Sequence, residues 1–195
     1  SLADAKSIPL GWQDFQACFA TTRLKSCTVY LQRTFPRILE ARYRSTGAIV
    51  AFAMDDALSL TVDGADICSP SLLLAKGDAV CDAVEPKANL IAFVKFETID
   101  GRDWPGEPGR VRRFPLRPSE LAALQAVTRD ILLLASHSAD LMLQADVVAH
   151  AEESLLAAMD HALRTPPAPG DGRRVDLREY FRLVRKLDQA LRENA

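Results

Sequence analysis

Histidine is scarce in this 195-residue chain, and the three copies, His137, His150 and His161, all fall in its last third. That placement excludes a common metal site of small β-barrels, in which two or three imidazoles and a carboxylate project from the strands. His150 and His161 stand eleven positions apart. At ~1.5 Å rise per residue that is about 16 Å along a helix, too far to share an ion. Neither belongs to an H-E-x-x-H pair, and the histidines read as solvated or capping side chains.

Cysteine is sparse as well. Cys18, Cys27, Cys68 and Cys81 are scattered without a C-x-x-C pair, which argues against a zinc knuckle or a thioredoxin-like motif and leaves reduced, half-buried thiols. No apolar run approaches the ~20 residues that span a bilayer. No charged-then-apolar stretch precedes Trp12, so a cytoplasmic protein with no membrane partner is expected. With 24 Lys and Arg against 26 Asp and Glu the formal net charge is −2, and the chain as a whole has no basic field for nucleic acid. The G-x-S-x-G, G-x-G-x-x-G and Walker patterns are missing, so nucleophilic hydrolysis and phosphate binding lack their local signatures. Asp55-Asp56 and Glu152-Glu153 are neighbours that point in different directions from a strand or a helix, and they read as surface charges. These residues nominate no catalytic group, no metal ligand and no cofactor.

What the chain does contain is two kinds of periodicity. Short runs of Val, Ile, Leu, Phe and Tyr predict strands at 28–35, 38–43, 48–54, 58–62, 65–68, 71–75, 79–84 and 89–96. Asp63-Gly64 supplies the positive φ angles of a tight hairpin, and Lys76-Gly77-Asp78 is expected to divide the next two strands in a similar way. Many short strands closely spaced by turns predict an antiparallel barrel or sandwich. Trp12, Phe15 and Trp104 are expected to cover an end of it. Residues 99–115, rich in Gly, Pro and Arg, read as a break. The cluster Arg110, Arg112, Arg113 and Arg117, at and just past its end, has Phe114 as its one aromatic and reads as a solvated connector rather than a nucleic-acid patch.

After the break the period becomes helical. Leu121, Leu124, Val127, Ile131 and Leu134 form one stripe, and Leu141, Val148, Leu155, Met159 and Leu163 a second. Pro118, Ser119 and Glu120 mark a helix start. Ser136-His137-Ser138 is expected to interrupt the run, with Asp140 starting a second helix. These stripes, with Leu132, Leu133, Leu143, Val147 and Leu156 beside them, hold more apolar surface than one seam needs, so part of it is expected to pair with another chain. Leu141, Val148, Leu155 and Met159 are the candidate dimer interface. Residues 166–172, a Pro/Gly linker, can continue neither a helix nor a strand. Beyond it Leu177, Tyr180, Phe181, Val184, Leu187 and Leu191 line one face of a helix whose other face carries Arg178, Arg182, Arg185, Lys186 and Arg192. Such a helix is expected to lead into a further module of a longer protein.

The stretch from Cys68-Ser69-Pro70 through Lys76-Gly77-Asp78, with Pro86 and the strand at 88–96 behind it, together with the Arg-rich helix at 177–194, resembles the N-terminal half of AraC-type (AraC/XylS) transcription regulators. The resemblance covers most of residues 28–195. It implies an α+β fold: an antiparallel cupin-like β-barrel or sandwich with its N-terminal extension at 1–99, a helical dimerisation region at 100–165, and the linker and C-terminal helix at 166–195. The implied function is ligand sensing and dimerisation without catalysis. The implied partners are an unidentified small-molecule effector, a second copy of the chain, and DNA reached only through a helix-turn-helix module that these residues do not include. On strand parity Tyr43, Phe52, Cys68 and Cys81 are the candidate pocket residues, and a slip of one residue would turn each to the other face. A cupin-like metal-dependent enzyme, an isomerase or oxygenase, is the alternative and requires metal ligands in the barrel. A scaffold that only oligomerises is a third reading.

Overall fold

The computed structural model describes residues 3–11, 17–55, 58–99 and 101–164. In chain order the strands are β1 (Ala3–Pro9), β2 (Cys18–Arg23), β3 (Cys27–Arg33), β4 (Arg37–Tyr43), β5 (Ala48–Ala53), β6 (Ser59–Val62), β7 (Ala65–Cys68), β8 (Ser71–Glu85), β9 (Leu90–Phe96), β10 (Pro108–Gly109) and β11 (Val111–Pro115). Helix α1 (Pro118–His137), a 3-10 turn (Leu141–Leu143) and helix α2 (Ala145–Ala162) follow. The expected linker at 166–172, the basic helix at 177–194, and Trp12 and Phe15 lie outside the described residues.

The architecture turns on β8. Lys76-Gly77-Asp78 does not separate two strands: 15 residues run on as one, bent where Gly77 takes a φ of +63° that a side-chain-bearing residue rarely adopts. Before the bend β8 pairs with β5 and β11, and after it with β4 and β6. Two antiparallel sheets result, sharing this strand. The first runs β11-β8-β5-β9-β3-β2 and the second β1-β4-β8-β6-β7; the short β10 lies parallel beside the bend. The sheets form a sandwich rather than a closed barrel, with β1 and β2 at the ends of the strand path. The Asp63-Gly64 hairpin is present, with φ of +49° and +83°, and joins β6 to β7 as a primed turn requires.

Alternation sorts the side chains into two interiors. On β5 Ile49 and Ala51 join Ile91 and Phe93 of β9 between the sheets, while Ala48, Val50 and Phe52 face the other way with Leu72, Leu74, Val94 and Phe96. That second interior is covered by the helices, through Leu121, Leu124, Ile131, Leu155 and Met159. The central strands of the first sheet, β8 before its bend, β5 and β9, are thus buried on both faces, and all six residues of β5 are buried.

Several sequence expectations change here. Residues 99–115 are not only a break, because β11 adds to the first sheet and buries Phe114 completely. Trp104 does not cap the sandwich: it packs edge-to-face on Phe96, centroids 4.9 Å apart, in the core beneath the helices. Glu152 is no surface charge. It is 8% exposed and accepts hydrogen bonds from the backbone N–H of Ser26 at 2.7 Å and its hydroxyl at 2.6 Å. Asp140 starts the 3-10 turn, whereas α2 begins at Ala145. The start of α1 is as expected, with Pro118 in its first turn and a Glu120 oxygen accepting from the Arg117 backbone N–H at 2.8 Å.

Among the described residues one buried side-chain polar atom lacks a hydrogen-bond partner, Thr128 Oγ1 of α1. A valine has nearly the same shape and nothing to leave unsatisfied. Thr128→Val is therefore expected to raise stability by about 1 kcal/mol, visible as a higher urea midpoint at unchanged slope.

Candidate ligand cavity between the sheets

The space between the two sheets does not fill. Ala51, Ala53 and Ala75 on the first sheet face Ala83 and Cys81 on the second, and where such small residues meet the larger Leu39, Leu60, Ile67, Leu73 and Phe93 they leave a cavity of about 50 Å³. Strand parity places the walls. On β4 Arg37, Leu39, Ala41 and Tyr43 turn inward while Glu40 and Arg42 turn out, and on β8 Ala79, Cys81, Ala83 and Glu85 do the same beside outward Val80, Asp82 and Val84.

The two strands pair in register, Arg37 against Glu85 at one end and Tyr43 against Ala79 at the other. The Arg37 guanidinium donates to Glu85 Oε1 at 2.9 Å through Nε and again at 2.9 Å through a terminal nitrogen. Asn89 donates to Glu85 Oε2 at 3.2 Å, and its side-chain oxygen in turn accepts from the Ser59 backbone N–H. Arg37 also lies 5.3 Å from the centre of the Phe35 ring, within cation–π range. A charged group this deep is tolerated because each of its partners is supplied. At the far end the Tyr43 hydroxyl and the Cys81 thiol share a hydrogen bond. Burial drives the Tyr43 hydroxyl well above its ordinary value, with the neighbouring Cys81 adding to the shift. Burial, reinforced by the Asp63 charge, pushes the Cys81 thiol up to about 12.

Of the pocket residues nominated from sequence, Tyr43 and Cys81 line the cavity between the sheets. Phe52 borders it but belongs to the core under the helices. Cys68, on the exposed face of β7, is not among the lining residues. Sequence reasoning missed Arg37 and Glu85. A charged residue in the inward series of an otherwise apolar strand was the available signal, but their pairing across 48 positions was not readable. Of the nominated dimer residues, Leu155 and Met159 are fully buried in the chain's own core. Leu141 is exposed and Val148 partly so, and Leu143, passed over as a flanking residue, is 85% exposed.

A metal does not suit this donor set. Glu85 and Cys81 lie four residues apart on one face of β8, about 13 Å at the strand rise, and Glu85 is already engaged by Arg37 and Asn89. All three histidines are exposed on the helices. Among the described residues no group of three or more His, Cys, Asp or Glu converges, and no helix is long and apolar enough to cross a membrane.

No protein-family model and no curated protein matches the sequence. Solved structures do. The AraC-like transcriptional activator CuxR superposes with a TM-score of 0.58 at 11% identity, over 89% of this chain and 65% of its own. The fold is the one seen in CuxR. The correspondence takes in the helices as well as the sandwich, and the chain spans just under two thirds of CuxR's length. Looser likenesses are the putative glyoxylate-induced protein of Pseudomonas aeruginosa, at TM-score 0.35, 10% identity, 58% of this chain and 53% of that one, and the EutQ protein of Clostridium difficile, at 0.32, 9%, 43% and 64%.

Three measurements check the site. In the native protein Cys18 and Cys68 are expected to react rapidly with a thiol reagent, while the buried Cys27 and Cys81 react only on unfolding. Burial, followed by the charges of Glu152 and Glu97, also lifts Cys27 to about 12, against the ordinary 9.0. The unfolded chain therefore ionises both buried thiols first. Their contribution to stability is whole below about pH 9 and is lost as pH rises from 9 towards 12, and Cys81→Ala is expected to flatten that decline in urea titrations at stepped pH. Arg37→Met alone, which strands the Glu85 charge, is expected to cost about 3–5 kcal/mol. Arg37→Met with Glu85→Leu is expected to recover most of the loss.

Proposed function

We propose that this chain is the signal-receiving part of an AraC-like transcription regulator: a cytoplasmic, non-catalytic module that takes a small-molecule effector between its sheets and forms a homodimer through its helical region. The observation that carries the reading is the correspondence with CuxR over 89% of the chain, joined to an apolar cavity whose few polar groups already have partners. The donor set argues against the metal-dependent alternative. DNA contact is assigned to a helix-turn-helix module separate from these 195 residues.

Mechanically, a ligand can shift such a regulator only by binding one arrangement of the module better than another. The fold supports a short route for that difference. On β9, Phe93 faces the cavity and Phe96 the helices. Phe96 meets Trp104, whose indole N–H donates to Asp160 of α2 at 2.7 Å.

The helical surface left open suits a second copy of the chain. Leu133, Leu141 and Leu143 are exposed, and they replace Leu155 and Met159 as the residues on which a homodimer would rest. Light scattering at tens of micromolar is expected to give a dimer, and Leu143→Glu to give a monomer with unchanged circular dichroism; a monomeric parent protein would refute the dimer. A thermal-shift screen of small metabolites is expected to find compounds that raise the melting temperature by mass action, and a screen without a single response would count against sensing.

A further inference from the structure

The cavity wall carries charge in one place. Arg37 is the one cation and Glu85 the one carboxylate among the lining residues, and each is committed to the other through two contacts of 2.9 Å. A ligand carboxylate would reach Arg37 only by displacing Glu85, whose side chain is 2% exposed and would be left as an uncompensated buried charge. A ligand ammonium meets the converse obstacle at Glu85. Ser71, another polar lining residue, gives its hydroxyl to the Cys68 carbonyl at 2.6 Å. The remaining polar groups are the Tyr43 hydroxyl and the Cys81 thiol, both uncharged at neutral pH.

We propose that the cavity selects a small, uncharged, mostly apolar molecule bearing one hydroxyl or carbonyl oxygen, anchored by the Tyr43 hydroxyl, and that the Arg37–Glu85 pair bars acids and amines. This rests on the reading of the cavity as the sensor's ligand site and narrows it to a ligand class. The volume sets the scale. About 50 Å³ is well below the ~150 Å³ cavity that takes up benzene, which favours a branched alcohol or ketone of a few carbons. A sugar is disfavoured because its several hydroxyls would face aliphatic walls without partners.

Three branched isosteres of four heavy atoms test the charge rule: propan-2-ol, acetate and propan-2-ylammonium, titrated into the full chain and followed through the methyl NMR signals of Ala51, Ala75 and Ala83. The alcohol is expected to shift these signals saturably and the two ions to leave them unmoved. Tyr43→Phe is expected to weaken alcohol binding roughly three- to tenfold, the size of one hydrogen bond. Ala83→Leu, which fills the void, is expected to abolish it, with Ala51→Val as a second filling variant should the first not fold. Binding of either ion as tightly as the alcohol overturns the charge rule and leaves the ligand site standing. Alcohol binding that survives both filling variants overturns the proposal. If none of the three binds while a compound from the thermal-shift screen moves the same methyl signals, the ligand class is wrong and the sensor reading holds; if nothing moves them, both fall.

Discussion

Burial of the central strands of the first sheet on both faces is the constraint on which the rest of the molecule depends. An antiparallel sheet usually keeps one face in water and shows it in alternating polarity. Here β5, with the sequence Ala-Ile-Val-Ala-Phe-Ala, has no polar position, so it is stable only if something covers each side. The helices cover one side, and the second sheet covers the other. Because α1 and α2 take up Val50, Phe52, Leu74 and Phe96, the inward residues are left to face a sheet they meet at alanines, and the gap that remains is the cavity.

Carboxylates hold the helices to this sheet. Glu152 receives Ser26 and Asp160 receives Trp104 and Arg102, while Glu120 caps the start of its own helix through Arg117. Glu152 and Asp160 each tie a helix to a loop at the margin of the apolar contact, where a lost hydrogen bond leaves a carboxylate that is buried or partly buried without its partner. Glu120 shows the balance: burial opposes its charge, yet hydrogen bonds from the Arg117 side chain and backbone outweigh that and hold its carboxyl below the ordinary range. The helices are thereby fixed in position as well as attracted to the sheet.

Much of this was legible in the residues. The strands at β3 to β7 and β9, the Asp63-Gly64 hairpin and the start of α1 at Pro118 follow from local signals: alternation, turn chemistry and capping. The misreadings share a cause. Gly77 marks a departure from ordinary backbone, but a positive φ serves a bend inside a strand as well as a turn between two strands. β2 is almost wholly exposed and β11 is short and rich in Arg, so neither shows the apolar alternation by which strands are recognised. Leu155 and Met159 were recognisable as members of an apolar stripe, but nothing local tells a stripe facing its own sheet from one facing another chain.

Composition and pattern by themselves determined the α+β character and the histidine-free strands, because these depend on neighbours within a few residues. The tertiary structure alone decided which face of β5 meets the helices, that Glu152 is buried, and that Arg37 finds Glu85 across 48 positions. Those outcomes depend on how one bent strand distributes its partners between two sheets, and that distribution is a balance of burial over the whole chain that no short window of sequence contains.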